Sequence, residues 1–257
     1  MIEIKNVRIS FEQGEVLHGI DSVFREGITN LIIGRSGSGK TVLMNCIVGL
    51  LNPDEGEILF DGRNLRAMST RECMLLRREM GMLFQGAALF DSISVLENVM
   101  FPLDMFSDLS LRDRRRRAEE CLERVGLSGS GDKMPEELSG GMKKRAAIAR
   151  AIVLNPHYLF CDEPNSGLDP QTSLLIDDLI HTITHENNMT TLINTHDMNS
   201  VMGIGENILY INKGHKAWEG KSVDIMKADN KDLNDFVFAS DFSKKMKDFL
   251  DQKLGKK

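Results

Sequence analysis

The chain has 257 residues, 41% of them hydrophobic and 27% charged, with a formal net charge of -6 at pH 7. That length allows one large domain or two small ones with a well-buried interior, and the composition is that of an ordinary globular protein. The negative balance argues against a general nucleic-acid binder, and no apolar run reaches the roughly 20 residues needed to span a bilayer. The N-terminal MIEIKNVRIS has neither the basic start nor the apolar core of a signal peptide, so a cytosolic chain is expected. Cys46, Cys73, Cys121 and Cys161 lack metal-like spacing and fall in apolar patterns, which predicts reduced, buried thiols.

Period-two alternation at Ile2, Ile4, Val7, Ile9 and Phe11, followed by a second run from Val16 to Phe24, predicts two strands at the edge of a sheet. Leu31 to Ile33 read as a short buried strand and Lys40 to Leu50 as a helix. Between them Gly34, Arg35, Ser36, Gly37, Ser38, Gly39, Lys40 and Thr41 spell G-x-x-x-x-G-K-[ST]. Glycines at that spacing let backbone N–H groups turn toward phosphate oxygens, and the positive end of the helix adds a favourable field. Lys40 would bridge terminal phosphates and the Thr41 hydroxyl would bind Mg2+. Further along, GEILFDGRNL predicts a strand closed by an Asp61-Gly62 turn, Ser69-x-x-Glu72 a capping box, and Met80 to Phe84 another strand.

From about residue 86 to residue 156 strand signals vanish. Ser94-x-x-Glu97 and Ser110-x-x-Asp113 mark helix starts, a long helix is expected from Gly141 to Leu154, and the run Arg112 to Arg117 reads as a solvated helix face. Ser139, Gly140 and Gly141 directly precede that long helix. They form a second anion-reading helix N-terminus, which suggests that two copies of the chain complete each other's sites. Strands resume at YLFCDEP and TTLINTHD and end with NILYI and HKAWEG. Asp162, at the tip of an apolar strand, can hold Mg2+ through water, and Glu163 can accept a proton from an attacking water. The pattern predicts an α/β fold: a parallel core interrupted by a helical subdomain, with a helical extension from about residue 221.

GRSGSGKT, Gln85 in LFQ, LSGGM, LFCDEP, SGLDP and His196 in NTHD occur in the order of the Walker A, Q-loop, signature, Walker B, D-loop and H-loop motifs. Together they resemble an ABC-transporter ATPase from Phe11 to about Glu219. The resemblance implies a P-loop ABC ATPase fold with a RecA-like core and an antiparallel β edge. It places an ATPase domain over 1–220, an inserted helical subdomain over about 86–156, and an extension over 221–257. It also implies that Phe11 stacks on adenine, Gln85 senses the γ-phosphate and touches Mg2+, Asp169 contacts the partner subunit, and His196 holds the γ-phosphate and the attacking water.

Two positions depart from the family's usual pattern. Val42 stands where a second hydroxyl is common, leaving a backbone N–H for the α-phosphate, and Met142 stands where a glutamine would reach the partner's ribose. Met142, with LFQGAALFDSISVLENVMFPL, is similar to the ATPases of Mla/Mce-type phospholipid transporters. That resemblance implies a homodimer bound to permease subunits on the inner face of the cell membrane, with an MCE-type lipid-binding protein and a small STAS-like subunit as further partners. An importer of another solute, such as an amino acid, is the alternative. A soluble ABC protein acting on ribosomes or DNA would carry two ATPase units or a long coiled-coil insertion, neither of which this sequence contains. In the extension, Phe242, Met246, Phe249, Leu250 and Leu254 fall on one helical face opposite lysines. The chain's own core, the neighbouring subunit or an anionic membrane surface could cover that face.

Overall fold

A computed structural model describes residues 1–225 and 227–238. Strands β1 (Ile2–Phe11), β2 (Gly14–Phe24), β4 (Glu55–Phe60) and β5 (Arg63–Asn64) form an antiparallel sheet in the order β2-β1-β4-β5. The second sheet has the order β10-β9-β3-β8-β7-β6, built from β3 (Thr29–Ile33), β6 (Met80–Leu83), β7 (Tyr158–Asp162), β8 (Thr190–Thr195), β9 (Asn207–Asn212) and β10 (His215–Gly220). Its pairings are parallel from β9 through β6, and only the β9–β10 hairpin is antiparallel.

The parallel strands are buried on both faces, and the pleat divides their side chains between two cores. Leu31, Ile33, Leu159, Cys161 and Ile193 face one cluster, which continues into the helices between β6 and β7. Ile32, Phe160, Leu192 and Leu209 face the other, which they share with the antiparallel sheet and with α1 (Lys40–Ile47). Helix α1 stops three residues before the expected Leu50, because Gly49 takes a φ of 73° that ends the helix.

After α2 (Thr70–Arg78), whose Ser69/Glu72 capping box is formed, the chain crosses β6 and enters three helices: α3 (Val95–Phe106), α4 (Leu111–Arg124) and α5 (Gly140–Ile152). Ser94, Ser110 and Ser139 cap them, each accepting from a backbone N–H three residues on. The arginines of α4 are mostly solvated and paired with acids of the same helix, as Arg115–Glu119 and Arg116–Asp113. Arg114 and Arg117 are the exceptions: Arg114 pairs with Asp104 of α3, and the Arg117 guanidinium turns inward to the carbonyl of Val153 at the end of α5.

Helices α6 (Pro170–Glu186) and α7 (Met198–Ile204) complete the core, and α8 (Ser222–Ile225) and α9 (Lys231–Val237) pack back onto it through buried Ile225, Leu233, Val237 and Phe238. The apolar face expected over Phe242 to Leu254 lies outside the described residues. All four cysteines are free thiols; Cys46, Cys121 and Cys161 are buried, whereas Cys73 on α2 is only half-buried.

Gly81 is a point of close approach between the helical layer and the sheet, because a β-carbon there would stand 2.3 Å from the Ala151 carbonyl oxygen of α5. Neither backbone can yield without displacing a buried element, so Gly81→Ala should cost about 3 kcal/mol. The expected result is a lowered urea midpoint at unchanged slope.

Candidate active site

The parallel register sets the carboxyl ends of β3, β7 and β8 side by side, pairing Ile33 with Thr195 and Asp162 with Asn194. The segments that leave these ends border a cleft of about 550 Å³ lined by Val16, Arg35, Ser36, Gly37, Gly39, Lys40, Thr41, Val42, Gln85, Glu163, His196 and Phe236. Crevices at the carboxyl edge of a parallel sheet are the usual ligand sites of α/β folds.

Gly34, Gly37 and Gly39 adopt φ values of 155°, 77° and 103°, which turn the loop around the start of α1. The Lys40 ammonium donates to the carbonyls of Gly34 at 2.9 Å and Arg35 at 3.2 Å, so its charge is held at the loop's mouth. Burial lowers its pKa, and the carboxylates of Glu163 and Asp162 act in the opposite direction. Ser38 Oγ is buried in this loop without a hydrogen-bond partner among the described residues.

Glu163 follows the tip of β7 with a φ of 48°, a left-handed backbone that costs a non-glycine residue about 1–3 kcal/mol. Its N–H donates to the Asn194 carbonyl at 2.9 Å, which locks the turn to β8. The side chain then meets His196, with Oε1 2.8 Å from Nδ1. Asp162 is oriented by Asn194, whose Nδ2 donates to Oδ1 at 3.0 Å. Gln85 lines the cleft from the opposite side, its Nε2 3.3 Å from Ser166 Oγ.

Other predicted residues lie outside this cleft. Phe11 is exposed at the β1–β2 turn, and Ser139 and Gly140 are exposed at the start of α5, with Gly141 buried against Thr172. Asp169 is exposed as the cap of α6, accepting from Thr172 N at 3.0 Å and Thr172 Oγ1 at 2.6 Å. One copy of the chain therefore brings Lys40, Thr41, Gln85, Glu163 and His196 together and leaves Ser139 and Asp169 facing outward.

Several residues around the cleft were not foreseen. Lys144, buried on α5, donates to the Gln85 carbonyl and lies 3.4 Å from the Glu163 carbonyl; burial lowers its pKa. Arg150, one and a half turns further along, donates to the carbonyls of Ala88 and Ala87, both at 2.8 Å. Those two alanines have positive φ, so the chain after Gln85 is a strained loop clamped by α5. The inward faces of KKRAAIARAI were the available signal, since Lys144 and Arg150 fall on the apolar side of that helix. Phe236 reaches the cleft from α9 and stacks on Tyr210, with ring centroids 5.4 Å apart.

The ABC transporter family profile matches residues 17–166. The chain belongs to the ABC transporter family. It is an ATP-binding cassette and an ATPase of that family. The chain is 39% identical to the intermembrane phospholipid transport system ATP-binding protein MlaF of Haemophilus influenzae over 230 residues, 89% of this chain and 86% of that one. It is also 38% identical to the methionine import ATP-binding protein MetN 2 of Enterococcus faecalis, over 88% of this chain and 67% of that one. The cassette's fold matches a dimeric, post-hydrolysis structure of the ATP-binding cassette MJ0796 bound to ADP and Pi, with a TM-score of 0.79 and 34% identity over 86% of this chain and 99% of that one. No described helix is long and apolar enough to cross a membrane.

Asp177 gives the cassette a titratable link behind the cleft. This α6 carboxylate is buried and accepts from Asn165 Nδ2 at 2.8 Å, and Asn165 also donates to Ser200 Oγ of α7 at 3.0 Å. Burial pushes the Asp177 pKa up from 3.8 to about 6, against the hydrogen bonds from Ser200 and Asn165. The folded chain thus keeps this proton to higher pH than the unfolded chain does. Its contribution to stability is complete below the unfolded value and is lost as pH rises through about 6, a total of about 3 kcal/mol. The difference in urea stability between wild type and Asp177→Asn should decline in that sense from pH 4 to pH 7, and a flat difference would refute the assignment.

Proposed function

We propose that the cassette hydrolyses ATP to drive phospholipid transport through a membrane permease, with Glu163 as the general base. The observation that carries the catalytic part is the Glu163–His196 pair at 2.8 Å in the cleft that also holds Lys40 and Gln85. Glu163 takes a proton from water as it attacks the terminal phosphorus, and His196 orients the base and the γ-phosphate. Lys40 and the loop N–H groups hold the β- and γ-phosphates, and Val16 and Phe236 offer apolar surface suited to a nucleotide base. The hydroxyl of Thr41, the carboxylate of Asp162 and the amide oxygen of Gln85 are hard oxygen donors that fit Mg2+. When bound, the ion would offset phosphate charge.

Ser139, Gly140 and Asp169 face outward, as residues that serve a second copy's nucleotide would. In this reading two copies enclose ATP between one copy's Lys40 cleft and the other's Ser139 helix start. The permease docks on the helical layer, where Phe90, Phe101, Met105, Phe106 and Leu109 are exposed large apolar side chains. Residues 1–220 then act as the ATPase domain, 86–156 as its helical subdomain and 221–257 as an extension. The phospholipid assignment rests on the MlaF similarity and on Met142 in the signature. Import of methionine or another amino acid is the second reading, favoured by the MetN similarity. In the assembled complex, stimulation of ATPase activity by phospholipid and not by amino acids would decide between them; MCE-type and STAS-like subunits would co-purify under the first reading.

Glu163→Gln should keep nucleotide binding while hydrolysis falls by about 10²- to 10⁴-fold, since the amide preserves shape and removes the base. Single-turnover hydrolysis close to wild type would exclude Glu163 from that role. On the docking face, Met105→Asp combined with Leu109→Asp should release the cassette from its permease, because a charge is desolvated in place of an apolar contact. The melting temperature of the isolated chain should stay within about 2 °C, as expected of surface positions. Normal co-purification of the complex would remove the docking assignment.

A further inference from the structure

The sequence H-T-I-T-H in α6 places His181 and His185 four residues apart, on one face of the helix. Their Nε2 atoms lie 3.1 Å apart, and Glu206, in the segment between α7 and β9, brings Oε2 to 3.0 Å from His185 Nε2 and 3.9 Å from His181 Nε2. Three ligand atoms from two distant parts of the chain thus face a common point at the surface.

Hydrogen bonding alone serves this cluster poorly. In a neutral imidazole, a protonated Nε2 has no lone pair to accept with, and an unprotonated one has nothing to donate. If His185 Nε2 donates to Glu206, it cannot accept from His181 and can at most share its one proton with it; if it accepts from His181, its approach to the carboxylate has no proton in it. A cation in place of the proton would use all three lone pairs at once. The carboxylate is already aimed: Glu206 Oε2 accepts from Thr29 N–H at 2.9 Å, and Glu206 N–H donates back to the Thr29 carbonyl at 3.2 Å. Such outer contacts are what fix a ligand's orientation in built metal sites.

We propose that His181, His185 and Glu206 form a divalent transition-metal site whose favoured ion is Zn2+, with water as the fourth ligand. Two imidazoles and one carboxylate are a zinc donor set. Tetrahedral zinc with bonds of 2.0–2.1 Å needs ligand atoms about 3.3 Å apart. Two of the three separations are already close to that value, and the 3.9 Å edge contracts by a small rotation of the half-exposed His181 ring. The bound ion would tie α6 to the strand β3 through Thr29. Thr29 opens β3 and the phosphate-binding loop follows its other end, about 13 Å along the strand, so the ion would act as a structural clamp remote from hydrolysis.

The test uses the full chain, free of nucleotide and of any affinity tag, titrated with Zn2+ against a chromogenic chelator and separately with Co2+. The expected result is one Zn2+ per chain and a Co2+ complex with the strong visible d–d absorption of tetrahedral coordination. At a hundredfold excess over Kd the melting temperature should rise by on the order of 5 °C. His181→Asn and His185→Asn, both at half-exposed helix positions, should each weaken the zinc by about a hundredfold or more and abolish the cobalt spectrum, while leaving metal-free stability and ATP hydrolysis as in the wild type. Zinc affinity equal in wild type and both variants would place the ion elsewhere and overturn the site. Absence of stoichiometric zinc binding by the wild type would overturn it too and leave a histidine–carboxylate hydrogen-bond cluster.

Discussion

The parallel register of β3 with its neighbours is the constraint on which the rest of the cassette depends. A slip of one residue would exchange the two faces of every strand and carry Gly34, Glu163 and His196 out of line. Apolar side chains alone do not define this register well, because strands buried on both faces offer similar contacts after a slip. Asn30, fully buried in β3, supplies what they lack. Its Nδ2 donates to the Thr191 carbonyl of β8 at 3.1 Å, and its Oδ1 accepts from Asn207 Nδ2 at the start of β9 at 3.0 Å. Both bonds are lost in any other alignment, while the amide's bonds with the Arg25 N–H and with the Arg25 and Ile28 carbonyls are local, so a slip forfeits two contacts worth about 0.5–1.5 kcal/mol each.

With that edge set, α5 determines how the helical layer communicates with the cleft. Lys144 holds the carbonyl of Gln85 and approaches that of Glu163, and Arg150 holds the carbonyls of Ala87 and Ala88. A small displacement of α5 must therefore carry the chain after β6 with it or break charge-assisted bonds in a buried setting. Ser139, at the exposed start of the same helix, experiences whatever approaches from outside. One rigid element thus has an outward end and an inward face that touches two residues of the cleft.

The loop between β3 and α1 was legible in the sequence because its pattern is local: glycine spacing, one lysine and one hydroxyl between a strand and a helix. The strands were legible for the same reason, as were the serine caps of α3, α4 and α5. Lys144, Arg150, Asp177 and Phe236 were not, since their roles arise from where distant segments pack. A lysine in KKR reads as solvated, yet this one is 4% exposed. Asp177 sits in a helix with acidic neighbours, and only its burial against Asn165 and Ser200 sets it apart. The surplus anion-reading helix start points to a role for Ser139 toward a second copy, whereas Asp169 is singled out only by the family resemblance; both face outward in one copy.

Many of the unfavourable features among the described residues border the cleft. Glu163, Ala87 and Ala88 have left-handed backbones, Lys40, Lys144 and Asp177 are ionisable groups held out of water, and Ser38 Oγ, Asn165 Oδ1 and Asn194 Oδ1 are buried without partners among the described residues. These lie in or behind the cleft at the carboxyl edge of the sheet, whereas the left-handed Asn155 and Asn188 and the buried Thr190 Oγ1 lie toward the amino edge. At the amino edge, Thr29, Asn30 and Asn207 are hydrogen-bonded to their neighbours. Strain and desolvated charge at the carboxyl edge are expected where that edge must bind a polyanion. A polyanion entering the cleft meets ready donors and a lysine whose charge is already poorly solvated, so binding relieves part of the cost the empty fold carries. Lys144 and Arg150 tie that edge to α5 through the carbonyls of Gln85, Glu163, Ala87 and Ala88.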